Sequence, residues 1–579
     1  MQILIINLTR MGDLVQTIGL ISNLQSLYPK SKIDLLVMKS FSTIVNHFPY
    51  LHDLITIDEE FFGKNIAQNY WRGLSELHDL ITSLNVRKYD VIINPIVSTQ
   101  SALLTKLIQA EQKLGIQFTE KREQKMTCDF AAYQLANQHQ LGDFSFNLVD
   151  IFAGMAWEIA KTTACLPRKD RVFHDFRLKI FEEDQICVHS FTKKITEPRL
   201  PIIAFHIGAS QSNKVWDINN YHQTMKRLLE TKKFTVVLLG GYNEIYFKDF
   251  FTDINSDLFF NTIGQFPLNQ LLVVLNSIDL LVTNDTGPMH LATALGKPII
   301  DISLGPVSKW ETGAYSNQVL VIEANLTCYP CNFNHDCHHR QCQQVITPEI
   351  VLQAIDFMCH QKEFFLSHDS FSLLSRLRSA KNEKYELRPF TSVKFYIGGW
   401  DQFGFHTFRP YFQETITEKV FIFHCKRFIW SLYFRGLLEE FSDSNSSTLA
   451  IWQKFNAELH EDYYFPLLNF QYLQNDVQKL SSQITNIIGE LQKVLPLKNQ
   501  LDKKKEFLLC AKKKKDALLA LAKNQDLIYD WFWFAIFQES EIDDYDLAKI
   551  AEKTIVIYKV LQKKLNILSR ILILLNDKI

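Results

Sequence analysis

The segment NDTGPMHLATALGKP, residues 284–298, combines the residue types that bind a phosphate group. It follows an apolar run that predicts a buried strand, and Pro288 is a residue favoured at the start of a helix. The backbone N–H groups of Thr286, Gly287 and Met289 would then face outward at the positive end of a helix dipole. Such a helix start is an anion site, and Gly287 would let a phosphate approach the backbone.

Two further side chains belong to this candidate anion site. His290, one helical turn in, would cover the same ligand, and the Thr286 hydroxyl would donate to it. The alternative is a helix with nothing bound, in which Asp285 or Thr286 serves as the N-cap. The spacing alone leaves both interpretations open.

Two other strand ends carry candidate ligand residues. In HIGASQSNKVW, residues 206–216, Ser210 lies at the sheet edge, and Lys214 would neutralise charge on a departing phosphate. In GGYNE, residues 240–244, Glu244 would accept both hydroxyls of a ribose. The plain alternatives are a solvated surface lysine and a glutamate at a helix start.

A carboxylate also stands at the first predicted helix. The apolar residues before Asn7 predict a buried strand, and the pattern after Asp13 predicts an amphipathic helix, with TRMGD between them. Asp13 therefore lies on the rim where a parallel sheet holds its ligand. Taken alone, it is better explained as a carboxylate that stabilises the helix dipole.

The segment CYPCNFNHDCHHRQC contains Cys328, Cys331, Cys337 and Cys342, with histidines between them. The spacing C-x2-C-x5-C-x4-C predicts a metal site, and four thiolates in tetrahedral geometry favour zinc or iron. Four ligands fill such a site and leave no position for water, so we expect the metal to be structural. Four reduced packing thiols are the alternative.

Composition excludes several classes of protein. The 62 basic and 63 acidic side chains give a net charge of -1, which argues against a nucleic-acid protein held by a global positive field. One tight cysteine group and six scattered cysteines suit a reducing compartment better than a disulfide framework. No stretch of about 20 residues is uniformly apolar, and no targeting segment is apparent. We expect a cytoplasmic protein that binds no nucleic acid.

Strand-like runs alternate with amphipathic stretches twice along the chain, which predicts two α/β domains with doubly wound parallel sheets. We expect one such domain over residues 1–165, a charged connector over 166–200, and a second domain over 201–360. Ligands of such sheets bind at the carboxyl ends of the strands. The cleft between the two domains is therefore the expected site.

Helix formers dominate residues 361–579, which predicts a mainly α-helical extension. Apolar residues at alternating spacings of four and three between Leu473 and Val494 predict a coiled-coil seam, followed by a helical hairpin or bundle. Lysine runs before Trp531 would suit an anionic membrane face, but a solvated helix leading into buried aromatics explains them better. We expect homo-oligomerisation or acceptor recruitment, with peripheral contact to the inner membrane as the rival role.

Together these segments resemble the heptosyltransferase family, glycosyltransferase family 9. The TRMGD start, the HIGAS block with its Lys and Trp, the GG…E turn and NDTGPMHLA follow the family's order over about residues 1–357. The resemblance implies two Rossmann-like domains in the GT-B arrangement. It implies inverting transfer of a heptose or related sugar from ADP-heptose or a similar nucleotide sugar, without a catalytic cofactor. The implied donor contacts lie in the second domain: Ser210, Lys214, Glu244, Asp285, Thr286, Gly287 and His290.

The resemblance also makes Asp13 the catalytic base, which takes the acceptor proton as the hydroxyl oxygen attacks the anomeric carbon. Lys214 then assists the departing diphosphate, and Gly12 leaves room for substrate. The acceptor, a lipopolysaccharide core or a protein, would face the first domain. Arg10 stands where many members carry a small hydroxyl residue, which leaves the acceptor open. The cysteine cluster is similar to that of autotransporter heptosyltransferases, which glycosylate protein.

Two other functions fit parts of the pattern. A GT-B sugar-nucleotide epimerase would use the same donor site without an acceptor. A non-catalytic scaffold would use the metal cluster and the coiled coil for assembly, although the presence of both Asp13 and Lys214 speaks against it.

Overall fold

The computed structural model of the 579-residue chain describes two α/β domains and an extension. The described residues are 1–58, 70–118, 124–138, 144–159, 176–331, 337–360, 387–415, 417–435, 437, 446–464, 471–497, 501–523, 531, 535, 538 and 547–576.

The first domain is a six-stranded sheet in the order β3-β2-β1-β4-β5-β6, parallel except for the β5–β6 edge pair. Its strands are β1 (Gln2–Ile6), β2 (Lys32–Met38), β3 (Asp53–Ile57), β4 (Tyr89–Asn94), β5 (Ala110–Phe118) and β6 (Gln124–Met126). Its helices are α1 (Met11–Gln16), α2 (Ile18–Leu27), α3 (Ser42–Val45), α4 (Tyr70–Val86), α5 (Thr99–Leu107), α6 (Asp129–Gln138) and α7 (Leu148–Met155). The strand order reverses between β1 and β4, which is where a doubly wound sheet opens a crevice for a ligand.

Helix α8 (Glu182–Thr196) precedes the second domain, an eight-stranded sheet in the order β14-β13-β12-β11-β10-β7-β8-β9. Its strands are β7 (Ile202–His206), β8 (Thr235–Leu239), β9 (Phe259–Asn261), β10 (Leu280–Thr283), β11 (Ile299–Ser303), β12 (Val319–Ala324), β13 (Val393–Trp400) and β14 (His406–Pro410). Its helices are α9 (Ile218–Glu230), α10 (Leu268–Ser277), α11 (Gly287–Ala294), α12 (Lys309–Thr312), α13 (Gln341–Val345) and α14 (Pro348–His360). The parallel strands are buried on both faces, as their continuous apolar runs predict.

Among its described residues, the extension adds a two-stranded sheet, β15 (Glu414–Thr415) and β16 (Tyr463–Tyr464), and five further helices. These are α15 (Glu418–Arg435), α16 (Ser446–Asp462), α17 (Gln471–Gln492), α18 (Leu501–Lys523) and α19 (Leu547–Asn576). The predicted pair of doubly wound domains with a mainly helical extension is confirmed. The boundaries at residues 165, 200 and 360 stay predictions, and residues 160–175 and 361–386 lie outside the described part.

Two strands of the extension were not predicted, because they complete the second sheet rather than a separate unit. Strand β13 pairs antiparallel with β12, and β14 pairs antiparallel with β13. Val393, Phe395 and Ile397 alternate along β13 and are buried in the core of the second domain. The extension is therefore continuous with the second domain through backbone hydrogen bonds.

The predicted heptad seam lies on α17. Val477, Leu480 and Ile484 are buried there, and α17 packs against α18 and α19 of the same chain. Polar contacts line this packing, with Gln562 Nε2 donating to Thr485 Oγ1 at 2.6 Å. The seam is thus covered within one chain, and a role in homo-oligomerisation stays a prediction. No helix in the described ranges is long and apolar enough to cross a membrane.

Aromatic packing joins α15 of the extension to α6 of the first domain. Phe434 stacks on Phe130 with ring centroids 4.1 Å apart, and Trp430 meets Tyr133 edge-on at 5.0 Å. Aromatic side chains bury large areas. This contact therefore holds the extension against the first domain, and it involves two of the 44 phenylalanines of the chain.

Candidate active site

The turn between β1 and α1 is fixed by Asn7, which is buried at the end of β1. Its Nδ2 donates to Thr17 Oγ1 at 2.7 Å and to the carbonyl oxygen of Asp13 at 3.2 Å. These bonds hold Asp13 in the first turn of α1, while Arg10 at the N-cap position makes no side-chain capping bond. The carboxylate of Asp13 is therefore presented at the sheet rim, as predicted.

A second asparagine fixes the opposite rim. Asn284 follows β10 and is fully buried. Its Oδ1 accepts from the N–H of Trp216 at 3.1 Å and from the hydroxyl of Tyr221 at 2.9 Å, and its Nδ2 donates to the carbonyl of Ile302 at 2.6 Å. The ends of β10 and β11 and the turn after β7 are thereby joined at one residue.

Helix α11 begins at Gly287, with Thr286 at the N-cap position but no side-chain capping bond. Thr286 Oγ1 instead lies 3.5 Å from Nδ1 of His206. Burial lowers the pKa of His206 to about 4, so this side chain is neutral. The expectation for Met289 is wrong, because its N–H donates to the Thr286 carbonyl at 3.1 Å and closes the first turn. Of the three predicted amide donors of the anion site, those of Thr286 and Gly287 therefore remain.

Asp285 is the centre of a buried polar group. Its Oδ2 accepts from Thr312 Oγ1 at 2.7 Å and lies 3.9 Å from Lys214 Nζ, and its Oδ1 lies 3.5 Å from His290 Nε2. Burial raises the pKa of Asp285, but the hydrogen bond from His290 and the charge of Lys214 outweigh it and hold the pKa below its usual value. Asp285 is thus an anion facing Lys214.

The two domains meet where α1 and α11 begin. A Cβ atom at Gly12 would lie 3.0 Å from His290 Cδ2, and one at Gly287 would collide with the side chain of Met11. The two helix starts can approach this closely because both positions are glycine. Asp13 of the first domain is thereby placed beside Asp285 of the second.

The pKa of Asp13 is raised, first by burial and then by the charge of Asp285. The charges of His290, Arg10 and Lys214 act in the opposite direction. A carboxylate whose pKa is raised toward neutrality is a better general base than an ordinary exposed one. The predicted residues Arg10, Asp13, Lys214, Asp285 and His290 are therefore brought into one electrostatic group.

Sequence reasoning missed Glu311, which is carried by the short helix α12 beside Thr312. Burial, together with the charges of Asp13 and Asp285, raises its pKa to about 7, although the charge of Lys214 acts in the opposite direction. Glu311 thus belongs to the same group as the predicted residues. It was missed because it follows the end of β11 by eight residues, too far for a rule that inspects strand ends.

Glu244 and Ser210 lie at the neighbouring strand ends. Glu244 Oε2 accepts from the N–H of Gly241 at 2.7 Å, so the alternative prediction of a helix-start contact is realised. A Cβ atom at Gly208 would lie 2.8 Å from Glu244 Cδ, which places this carboxylate over the end of β7. Ser210 is exposed two residues further along the same turn.

The four cysteines lie near one another as free thiols, with Cys331, Cys337 and Cys342 buried and Cys328 exposed. Burial and the neighbouring thiols of Cys342, Cys337 and Cys328 raise the pKa of Cys331 to about 11. Within the described residues, which omit 332–336, no group of three or more His, Cys, Asp or Glu side chains is arranged to hold a metal ion. The residue types suit a metal, and the site itself stays a prediction.

Comparison with known proteins finds similarity to heptosyltransferases. A family model described as Glycosyltransferase family 9 (heptosyltransferase) matches residues 77–341. The chain is 26% identical over 332 residues to lipooligosaccharide heptosyltransferase 2 of Haemophilus ducreyi, across 56% of this chain and 88% of that protein. It is 24% identical over 374 residues to lipopolysaccharide heptosyltransferase 2 of Escherichia coli, across 63% of this chain and 100% of that protein.

A solved glycosyl transferase family 9 structure from Veillonella parvula is similar across 62% of this chain and 96% of its own, with 18% identity and a TM-score of 0.49. The matched segment of the family model includes the turns that carry Lys214, Asp285 and Glu311. Two doubly wound domains face each other across this site, in the GT-B arrangement. Residues 77–341 of this chain are similar to glycosyltransferase family 9, and the chain is a glycosyltransferase.

Proposed function

We propose that this enzyme transfers a heptose, or a related sugar, from ADP-heptose or a similar nucleotide sugar to an acceptor hydroxyl, with inversion at the anomeric carbon. The observation that carries the proposal is the position of Asp13. This carboxylate comes from the first domain and lies against the group of Lys214, Asp285 and His290 from the second. A base on one domain and a diphosphate site on the other are what the transfer requires.

The donor diphosphate binds at the start of α11, where the Thr286 and Gly287 amides and the helix dipole favour an anion. Lys214 stands beside this helix start and stabilises the charge that develops on the leaving phosphate oxygen. Glu244, at the rim formed by β7 and β8, accepts hydrogen bonds from the ribose hydroxyls. Ser210 lies at the same rim and donates to the diphosphate.

In the reaction, the acceptor oxygen forms a bond to the anomeric carbon as the bond from that carbon to the phosphate oxygen breaks. The acceptor proton passes to the carboxylate of Asp13, and the bonding electrons leave with the nucleoside diphosphate. Gly12 lets the start of α1 approach His290 closely, and Arg10 beside Asp13 offers a cation to an anionic acceptor. The similarity to heptosyltransferases favours transfer over epimerisation.

We favour a glycolipid acceptor, since the two named relatives act on lipooligosaccharide and lipopolysaccharide. A protein acceptor is the alternative, supported by the extension, because the alignment covers the whole E. coli relative but 63% of this chain. Free thiols fit a reducing compartment, so we place the reaction in the cytoplasm, with peripheral contact to the inner membrane when the acceptor is lipid-linked.

We also propose that Cys328, Cys331, Cys337 and Cys342 hold a structural zinc or iron ion. The supporting observations are the mutual electrostatic influence of the thiols and the place of their segment in the fold. The N–H of Cys331 donates to the Gly305 carbonyl at 3.1 Å, at the turn that leads to α12. A bound metal would fix this segment and the turn it supports.

Asp13→Asn should abolish transfer because the amide cannot take the acceptor proton. We expect a rate loss of about 10²–10⁴ with ADP-heptose as donor, while ADP binding stays within twofold. Transfer and donor hydrolysis would be followed as ADP release, and binding by calorimetry. Asp257→Asn, at an exposed position of the second domain, is the matched control. Turnover of Asp13→Asn at the level of this control would remove Asp13 from the mechanism.

Lys214→Ala should weaken ADP binding and slow the chemical step by a larger factor, because charge on the diphosphate grows as it leaves. A hydrogen bond to a charged group contributes about 1.5–3 kcal/mol, so we expect a loss of at least about tenfold in affinity. Lys233→Ala, at an exposed position after α9, is the control. Equal affinities and rates in the two variants would remove Lys214 from the donor site and leave it as the partner of Asp285.

Glu311→Gln should change how stability depends on pH. The folded state holds the Glu311 proton up to about pH 7, whereas the ordinary pKa is 4.5. Ionisation of Glu311 therefore lowers stability as pH rises through this window, by about 3 kcal/mol at most, because one pKa unit is about 1.4 kcal/mol. The variant should gain stability relative to wild type at pH 8 and not at pH 4.

Urea denaturation at the two pH values measures this difference. Glu230→Gln, at an exposed position at the end of α9, should show the wild-type dependence on pH. If the Glu311→Gln variant differs from wild type by the same free energy of unfolding at both pH values, the pKa of Glu311 is not raised in the folded state.

Protein purified without chelator should contain about one zinc or iron ion per chain, measured by elemental analysis. Replacing Cys328 and Cys331 together by Ser should release the metal and lower the melting temperature, because metal-binding free energy is folding free energy. The control is Cys187→Ser, at an exposed position of α8. Absence of metal from the wild-type protein would reject the site.

A further inference from the structure

A second cavity lies between the second domain and the extension, on the other side of α12 from Asp285. Its volume is about 180 Å³, whereas a water molecule needs roughly 10–15 Å³. Helix α12 supplies Lys309 and Trp310, strand β13 supplies Lys394 and Tyr396, and helix α15 supplies Lys419 and Lys426. None of these residues takes part in the donor site described above.

The walls of this cavity are strongly cationic. Four lysines line it, and the carboxylate that lines it with them is Glu414, which lies 2.8 Å from Lys394 Nζ. Lys309 Nζ forms an ion pair with Glu323 Oε2 at 2.8 Å. Among the residues that line the space, lysines therefore outnumber carboxylates, which favours an anion over a cation. A neutral apolar ligand would strip water from the ammonium groups without replacing it.

Flat aromatic rings make up the rest of the wall. Trp310 lies beside Phe423 with centroids 5.0 Å apart, and the Tyr396 ring is covered by Lys309 Nζ at 3.7 Å. His424 Nε2 lies 3.2 Å from the hydroxyl of Tyr463, and burial lowers the pKa of His424 to about 3, which keeps it neutral. Rings with polar tips suit a ligand that has both an apolar face and hydroxyl groups.

We propose that this cavity binds an anionic saccharide, a sugar ring that carries a phosphate or a carboxylate. The ammonium group of Lys419 on α15 faces the anionic group, the rings of Trp310 and Phe423 pack on the C–H face of the sugar, and His424 and Tyr463 bond its hydroxyls. The proposal adds a second carbohydrate site to the donor site, and the binding itself does not depend on the identity of the transferred sugar.

The position of α12 connects this site to the reaction centre. Lys309 and Trp310 line the cavity, and the next two residues of the same single turn, Glu311 and Thr312, belong to the group around Asp285. A saccharide in the cavity is therefore packed against the helix that contributes to the reaction centre, and the extension builds one wall of its site.

The test is calorimetric titration of the full chain with glucose 6-phosphate, glucuronate, glucose, inorganic phosphate and ADP. We expect the two anionic sugars to bind, glucose and phosphate to bind at least about tenfold more weakly, and ADP not to compete. Lys419→Gln should weaken sugar-phosphate binding by about tenfold, the effect of one charged hydrogen bond. Trp310→Ala should weaken the binding of both glucose 6-phosphate and glucuronate, since the contact between ring and sugar does not depend on which anion the sugar carries.

Two controls separate this proposal from the sugar transfer. Lys454→Gln, at an exposed position of α16, should leave sugar-phosphate binding unchanged, and Lys419→Gln should leave hydrolysis of ADP-heptose unchanged. Binding of phosphate as tight as that of glucose 6-phosphate would overturn the proposal, because the sugar would then contribute nothing. Competition by ADP, or no binding of either anionic sugar at 10 mM (a concentration on the order of the weakest useful affinities), would overturn it too.

Discussion

The buried charge of Asp285 is the constraint on which the reaction centre is built. An unpaired charge inside a protein costs several kcal/mol, so this carboxylate must be met by cations and donors. Lys214, His290 and Thr312 meet it, and they come from the turn after β7, from α11 and from α12. Three segments that follow three different strands are thereby held at one point. With α11 held in this way, its glycine start is set against the start of α1, which carries the proposed base.

The cysteine segment packs against the loop that leads to α12. The hydroxyl of Tyr329 lies 2.7 Å from Ser303 Oγ and donates to the Val307 carbonyl at 3.3 Å, on the loop that leads to α12. Gly305 in that loop has a φ of 68°, and a Cβ atom there would lie 2.7 Å from the Asn213 carbonyl oxygen. The turn that carries Lys214 therefore rests directly on the loop that carries Glu311. Through this close contact the cysteine segment supports both the turn and the loop that flank the proposed diphosphate site.

The sequence was sufficient for features that are local or periodic. The parallel strands were predictable from their apolar runs, and the start of α11 from Thr286, Gly287 and Pro288, because strand burial and helix starts depend on neighbouring residues. The role of Thr312 was not predictable, because its bond to Asp285 joins residues that are 27 positions apart and exists only after β10 and β11 have paired. Strand β13 was missed for the same reason. Its pairing partner β12 lies before residue 360, where the sequence predicts the end of the second domain, and β13 lies after it.

The extension and the first domain together fix how the reaction centre closes. Asn147, at the N-cap of α7, donates from Nδ2 to the Gly313 carbonyl at 2.8 Å, and Asp150 on α7 accepts from the Tyr315 hydroxyl and the His406 N–H, both at 2.8 Å. Gly313 directly follows α12, so these bonds hold Glu311 against the first domain, on the side where Asp13 projects. Asn147 and Asp150 are fully buried, and leaving such a group unsatisfied costs about 1–3 kcal/mol. Separating the two domains breaks these bonds together with the packing of Phe434 on Phe130. The groups of the proposed reaction centre are therefore held in place by the fold itself, and preorganised groups leave little reorganisation for the moment of transfer.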